Sequence, residues 1–183
     1  MKAAELYRVL EAALEPEMRA HGFKKRRAAR LGFQRHVDDK YQTIWFQADK
    51  WGWDPYAGSS FFVNFAVSPS PDPEDPARRD ERLNYFLTDD ELTRAREYRD
   101  IVVARIPRPP ESYFQTLQEQ FAKTAANAPA LVATVRAQFE PEPLPYRRHQ
   151  DFSLRYFTPA DVEGWAEMIR SMLPRAVKEM ESW

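Results

Sequence analysis

Apolar residues recur first at helical spacing, then at every second position, then at helical spacing again. Leu6, Val9, Leu10, Ala13 and Leu14 fall three and four apart, which predicts a helix from about Ala3 to His21. Pro16 lacks the N–H that would bond the Ala12 carbonyl, so a kink or restart is expected there. Gly22 stops the helix, with Phe23 and Met18 placed as the apolar pair of a Schellman cap. Three strands follow, Leu31 to Val37, Tyr41 to Lys50 and Ser60 to Ser68. The last alternates most clearly: Phe61, Val63, Phe65 and Val67 point one way, and Phe62, Asn64, Ala66 and Ser68 the other. Short connections favour an antiparallel meander.

The proline- and acid-rich stretch Pro69 to Pro76 is a surface loop. Helical pattern is expected from about Ala77, with Thr88 and Glu91 spaced as a capping box and prolines from Pro107 closing it. Further helices are expected from Glu111 to about Ala126 and from Pro129. Glu140 to Pro145 reads as a second proline-rich connector, and Asp151 to Phe157 as a fourth strand. Thr158 caps a last helix, which Pro174 is expected to restart. The fold class is α+β: a four-stranded antiparallel sheet, a meander plus a closing strand, packed with several α-helices. Residues 1–68, 77–139 and 151–183 form a single domain of helix plus meander, helical elaboration, and closing strand with helices.

A length of 183 residues suits one domain with a full core. Hydrophobic residues make up 43% and charged residues 30%, so the chain can bury a core and still dissolve. A net charge of -1 argues against a globally basic nucleic-acid binder but leaves room for a local patch. The absence of cysteine excludes disulfides, thiolate chemistry and Cys-bearing zinc sites. With no apolar leader after Met1 and no apolar run of the roughly 20 residues needed to span a bilayer, a cytoplasmic location without a membrane partner is expected.

The first 68 residues resemble the bacterial domain of unknown function 4304 family. The likeness rests on Gly22-Phe23-Lys24-Lys25, Gly32-Phe33-Gln34-Arg35, Ile44-Trp45-Phe46-Gln47 and the run Phe61 to Val67, in that order after an amphipathic helix. Asp151 to Pro174 is similar to that family's closing strand and helix, and the match fails from Ala77 to Phe139. The resemblance implies an α+β fold and a bacterial source. It implies no activity and carries over no catalytic residue.

Three groups of residues are candidates for contact with something else. If Asp38-Asp39 forms a two-residue turn, Gln34, His36, Trp45, Gln47 and Asn64 share one sheet face with Tyr41, Thr43 and Phe62. Such an aromatic floor carrying amide and imidazole groups suits a small planar ligand or a peptide. A three-residue turn would instead bring Phe33 and Arg35 to that face, and helices covering it would make its polar groups structural. The loop Trp51-Gly52-Trp53-Asp54-Pro55-Tyr56 is either a contact surface built on Trp51 and Trp53 or a lid on the core. Lys24, Lys25, Arg26, Arg27 and Arg30 can bind phosphates, or simply complement the helix C-terminus before them.

Enzyme and metal signatures are missing. His21, His36 and His149 lack metal-ligand spacing, and no P-loop, dinucleotide fingerprint or nucleophile elbow is present. Asp38-Asp39-Lys40 matches the tail of a nuclease motif, but in a tight turn. Asp72, Glu74 and Asp75 read as solvating a loop rather than gathering a cation. No cofactor, metal or catalytic residue is therefore expected. The leading reading is a non-enzymatic binding or accessory domain that contacts a small molecule or protein partner through the aromatic-polar face. The alternative is a nucleic-acid-associated protein using residues 24–30, with phosphodiester chemistry as its extension. A third class is a toxin-neutralising partner.

Overall fold

The computed structural model describes residues 1–26, 30–50, 52–56, 58–72, 75–137 and 152–183. Arg27, Trp51, Glu74, His149 and the connector Glu140 to Pro145 lie outside the described residues.

Helix α1 (Ala3–Ala20) buries Leu6, Leu10, Leu14 and Met18, a strict i, i+4 row with no solvent exposure. It runs through Pro16 without restarting. Pro16 and Ala12 both lie on the exposed side, so the carbonyl that loses its partner faces water. Gly22 takes φ +80° at C′, the Phe23 N–H donates to the Met18 carbonyl at 2.9 Å, and the Gly22 N–H donates to Arg19. These are the two bonds of the Schellman cap.

The chain then lays down β1 (Lys24–Lys25), β2 (Gly32–Val37), β3 (Lys40–Ala48) and β4 (Ser59–Ser68). Asp38, at φ 53°, makes the β2–β3 connection a two-residue turn, and Val37 faces Lys40, His36 faces Tyr41 and Gln34 faces Thr43. After β4 comes β5 (Arg79–Arg82), a strand where the sequence suggests the start of a helix. Arg79-Asp80-Glu81-Arg82 has no apolar period to bury as a helix, whereas β4 offers unpaired backbone along Asn64–Val67. Charged side chains suit such an edge because they discourage pairing with another chain. The sheet runs β1-β2-β3-β4-β5, with β6 (Leu154–Tyr156) also antiparallel to β4 beside Ser59–Phe61. Among the described residues the sheet thus has six strands rather than the expected four, because the two short charged edges carry no hydrophobic alternation.

The remaining helices are α2 (Leu83–Phe86), α3 (Asp89–Arg105), α4 (Glu111–Ala122), α5 (Ala128–Ala137) and α6 (Pro159–Glu181). Both expected caps form: Thr88 with Glu91 and Thr158 with Asp161 are complete capping boxes. Helix α6 passes through Pro174 unbroken, again because Pro174 and Arg170 both face solvent.

The core lies between one sheet face and α1, α2 and α6. Phe33, Ile44, Phe46, Phe61, Val63 and Phe65 meet Leu10, Met18, Trp165, Ile169 and Leu173 there. Full burial of each such side chain contributes about 1.5–3 kcal/mol. Phe33 and Phe46 pack edge to face at 6.5 Å, and Phe65 meets Phe86 at 4.5 Å. The Trp165 indole N–H, itself buried, donates to the Arg155 carbonyl at 2.6 Å.

Candidate functional site

The second sheet face is built by the residues that alternate with the core set. Strand register places them in rows across the sheet. One row holds Lys24, Gln34, Thr43, Ala66 and Asp80. The next holds Gly32, Trp45, Asn64 and Arg82. Gln47 pairs with Phe62, and Ser60 with Arg155. Five of the residues expected on this face, Gln34, His36, Trp45, Gln47 and Asn64, therefore do share it. Phe33 is fully buried on the core side, and Arg35 lies there too, its guanidinium 5.0 Å from the Phe23 ring.

These five residues are not equivalent. His36 is exposed and leans on Tyr41 with ring centroids 4.5 Å apart. Gln34 donates to the Thr43 hydroxyl at 2.9 Å and, at 3.4 Å, to the Pro71 carbonyl. The loop leaving β4 thus reaches back over this end of the face. At the other end Trp45, Gln47 and Phe62 remain half-buried. Between them Asn64 is 6% exposed, and its amide Nδ2 is buried with no acceptor. A buried donor without an acceptor costs about 1–3 kcal/mol. Among the described residues, Trp45 Nε1 and the Gln47 amide also have no protein hydrogen-bond partner. Gly32, across from Trp45, places no side chain on the face.

Two arginines complete the surface. The Arg82 guanidinium lies 4.2 Å from the Phe62 ring centroid, a cation–π stack. Arg155 stands opposite Ser60, whose hydroxyl donates to Asp49 at 3.3 Å. Sequence reasoning missed Arg82 because its segment is expected to be helical. Arg155 alternates correctly in its strand, but only the pairing of β6 with β4 places it on this face.

The tryptophan-rich loop folds back onto the body. Trp53 stacks on Phe157 at 5.6 Å, and its Nε1 donates to the Phe157 carbonyl at 3.2 Å. Tyr56 meets Tyr113 at 5.1 Å, and the Tyr113 hydroxyl donates to Asp54 at 3.4 Å. Burial raises the Tyr113 phenol above its ordinary value, and the Asp54 carboxylate adds to the shift. Trp53 is thus anchored on the side of the closing strand, away from the row of Trp45 and Asn64.

The basic run is divided. Lys25 is ion-paired with Glu11 of α1, whereas Lys24, alternating with it, sits in the Gln34 row on the second face. Arg26 is half-buried, its N–H bonding the Gly32 carbonyl, and Arg30 is exposed. Among the described residues, no three His, Asp or Glu side chains gather to hold a metal, and no helix is long and apolar enough to cross a membrane. No family model matches the chain, and neither a curated protein nor a solved structure matches it.

Proposed function

We propose that this protein is a non-enzymatic binding domain whose working surface is the sheet face around Trp45, Gln47, Phe62 and Asn64. The carrying observation is the Asn64 amide: a buried donor with no acceptor, at the centre of a face whose large side chains keep solvent contact. The opposite face is sealed by helices, so the sheet serves as a scaffold with one side committed to the core. Half-exposed rings supply apolar area, and the Gln47 and Asn64 amides supply polar contacts, which is how small-molecule sites combine affinity with orientation.

The reading includes a cytoplasmic location, on the absence of cysteine. It also includes kinship with the domain of unknown function 4304 family, which the helix-then-meander order supports. The ion pair of Lys25 with Glu11, and the opposite projection of Lys24, weigh against a continuous phosphate-binding patch.

The test is a titration of isotopically labelled protein with a small-molecule extract of the source cell, followed by NMR. Shifts gathered at Trp45, Gln47, Phe62 and Asn64 are expected. A folded protein that responds elsewhere, or nowhere, overturns the reading.

A further inference from the structure

We infer that the ligand of this face presents a planar hydrogen-bond acceptor, a carbonyl or carboxylate on a flat ring, to the row Trp45–Asn64–Arg82. The inference rests on the binding-face reading and narrows its ligand chemistry. Trp45 and Asn64 are direct cross-strand partners, and Arg82 is the partner of Asn64 on its other side. Directly opposed residues hold their Cβ atoms about 4.5–5.5 Å apart, so one small group can touch neighbouring members of the row.

All three side chains donate. Indole and guanidinium have N–H groups and no acceptor, and the amide adds two more donor hydrogens. Trp45 Nε1 has no acceptor among the described residues, and Asn64 Nδ2 has none while being buried. A half-turn of the Asn64 amide about χ2 exchanges its nitrogen and oxygen, so the donor can be brought to the outer side without moving the backbone. An acceptor arriving there satisfies Asn64 and Trp45 together. Gly32, the other neighbour of Trp45, is buried and adds no side chain to the row; a Cβ there would meet the Trp45 Cβ at 3.3 Å. Phe62 lies beside the row with the Arg82 guanidinium stacked on its ring. A ligand offering only donors finds no acceptor at Trp45 Nε1 or the Arg82 guanidinium, and in the row only the Asn64 Oδ1 can receive it.

Three naphthalene probes of one size test this by NMR on the intact chain: 2-naphthoate, 2-naphthamide and 2-naphthylmethylammonium. The two acceptor probes are expected to shift the Trp45 indole N–H and the Asn64 side-chain NH2 signals, and the ammonium probe to leave them in place. Trp45→Phe keeps a ring and removes the donor. It is expected to weaken naphthoate roughly tenfold, the worth of one hydrogen bond. Asn64→Val is expected to do the same, with the amide spectrum confirming that each variant is folded. If the ammonium probe moves the same signals as strongly, the acceptor preference is overturned while the face stands as a site. If no probe moves them, the acceptor inference is overturned as well, and the extract titration decides separately whether the face binds anything.

Discussion

Replacing Asn64 by valine should make the protein more stable. Asn64 sits mid-strand in β4 with strands on both sides, 6% exposed, its Nδ2 buried without an acceptor. Removing that donor recovers about 1–3 kcal/mol of desolvation cost. Valine also suits a central strand, where β-branched side chains pack well on the pleated surface and asparagine is depleted. Contact with the neighbouring Trp45 and Arg82 side chains offsets part of the gain, because added volume in a packed site costs something. A net stabilisation of about 1–2 kcal/mol remains. For a chain of this length each kcal/mol raises Tm by about 2–4 °C, so a rise of roughly 2–8 °C is expected. Urea unfolding followed by circular dichroism should show a higher midpoint at unchanged slope, as expected when only stability changes. A folded variant that loses stability would mean that the Asn64 amide makes a hydrogen bond the native fold needs. The argument for a site at Asn64 would then fall, because a residue kept for binding at a cost in stability is what identifies a functional position.

Glu91 gives a pH-dependent prediction. Burial pushes its carboxyl up, but bonds from the Thr88 N–H, Arg175 and the Thr88 hydroxyl outweigh that and hold it below its ordinary 4.5. A lowered folded-state value means the stabilisation is present above 4.5 and lost as pH falls through the folded value. Glu91→Gln should therefore cost about 1–2 kcal/mol at neutral pH, with the gap to the parent protein closing below the carboxyl range in urea midpoints taken across pH. At the alkaline end burial comes first in raising Tyr98, Tyr113 and Tyr156 above 10.0, joined by the charges of Asp161, Asp54 and Asp49 respectively. Stability should hold below 10.0 and fall as pH rises through those values, with phenolate absorbance lagging behind free tyrosine. Gly164→Ala should destabilise despite better helix propensity. The new Cβ would stand 2.0 Å from the Tyr98 hydroxyl oxygen and 2.5 Å from its ring carbon, and moving that ring breaks its bond to the Asp161 carbonyl. An overpacking cost of about 1–3 kcal/mol exceeds a propensity gain of about 1 kcal/mol. A rise in Tm for that variant would contradict the packing described.

The parts of the fold legible in the sequence are those set by neighbours in the chain. The α1 stripe, the Schellman turn at Gly22, the Thr88 and Thr158 capping boxes and the odd-numbered ring row of β4 each follow from spacing alone. The turn at Asp38-Asp39 is legible, but its length is not: spacing allows two residues or three, and the structure's two-residue turn sets the β2–β3 register that gathers Gln34, His36, Trp45 and Gln47 on one face. Pro16 and Pro174 mislead for a local reason. A missing N–H is read from the sequence, but whether its orphaned carbonyl finds water depends on which way the helix faces.

Tertiary structure decided what no window of the sequence contains. β5 is a strand because β4 has an unpaired edge beside it, and Arg79-Asp80-Glu81-Arg82 by itself has no period that says so. That pairing puts Arg82 next to Asn64 and over Phe62. The pairing of β6 with β4 similarly brings Arg155 opposite Ser60, about a hundred residues away in the chain. Lys24 and Lys25 part company because strand alternation and a carboxylate on α1 separate them. Composition and period thus fixed which residues are buried and which strands exist by pattern. Long-range backbone pairing, whose free energy depends on partners distant in sequence, chose the neighbours that turn a row of side chains into a surface.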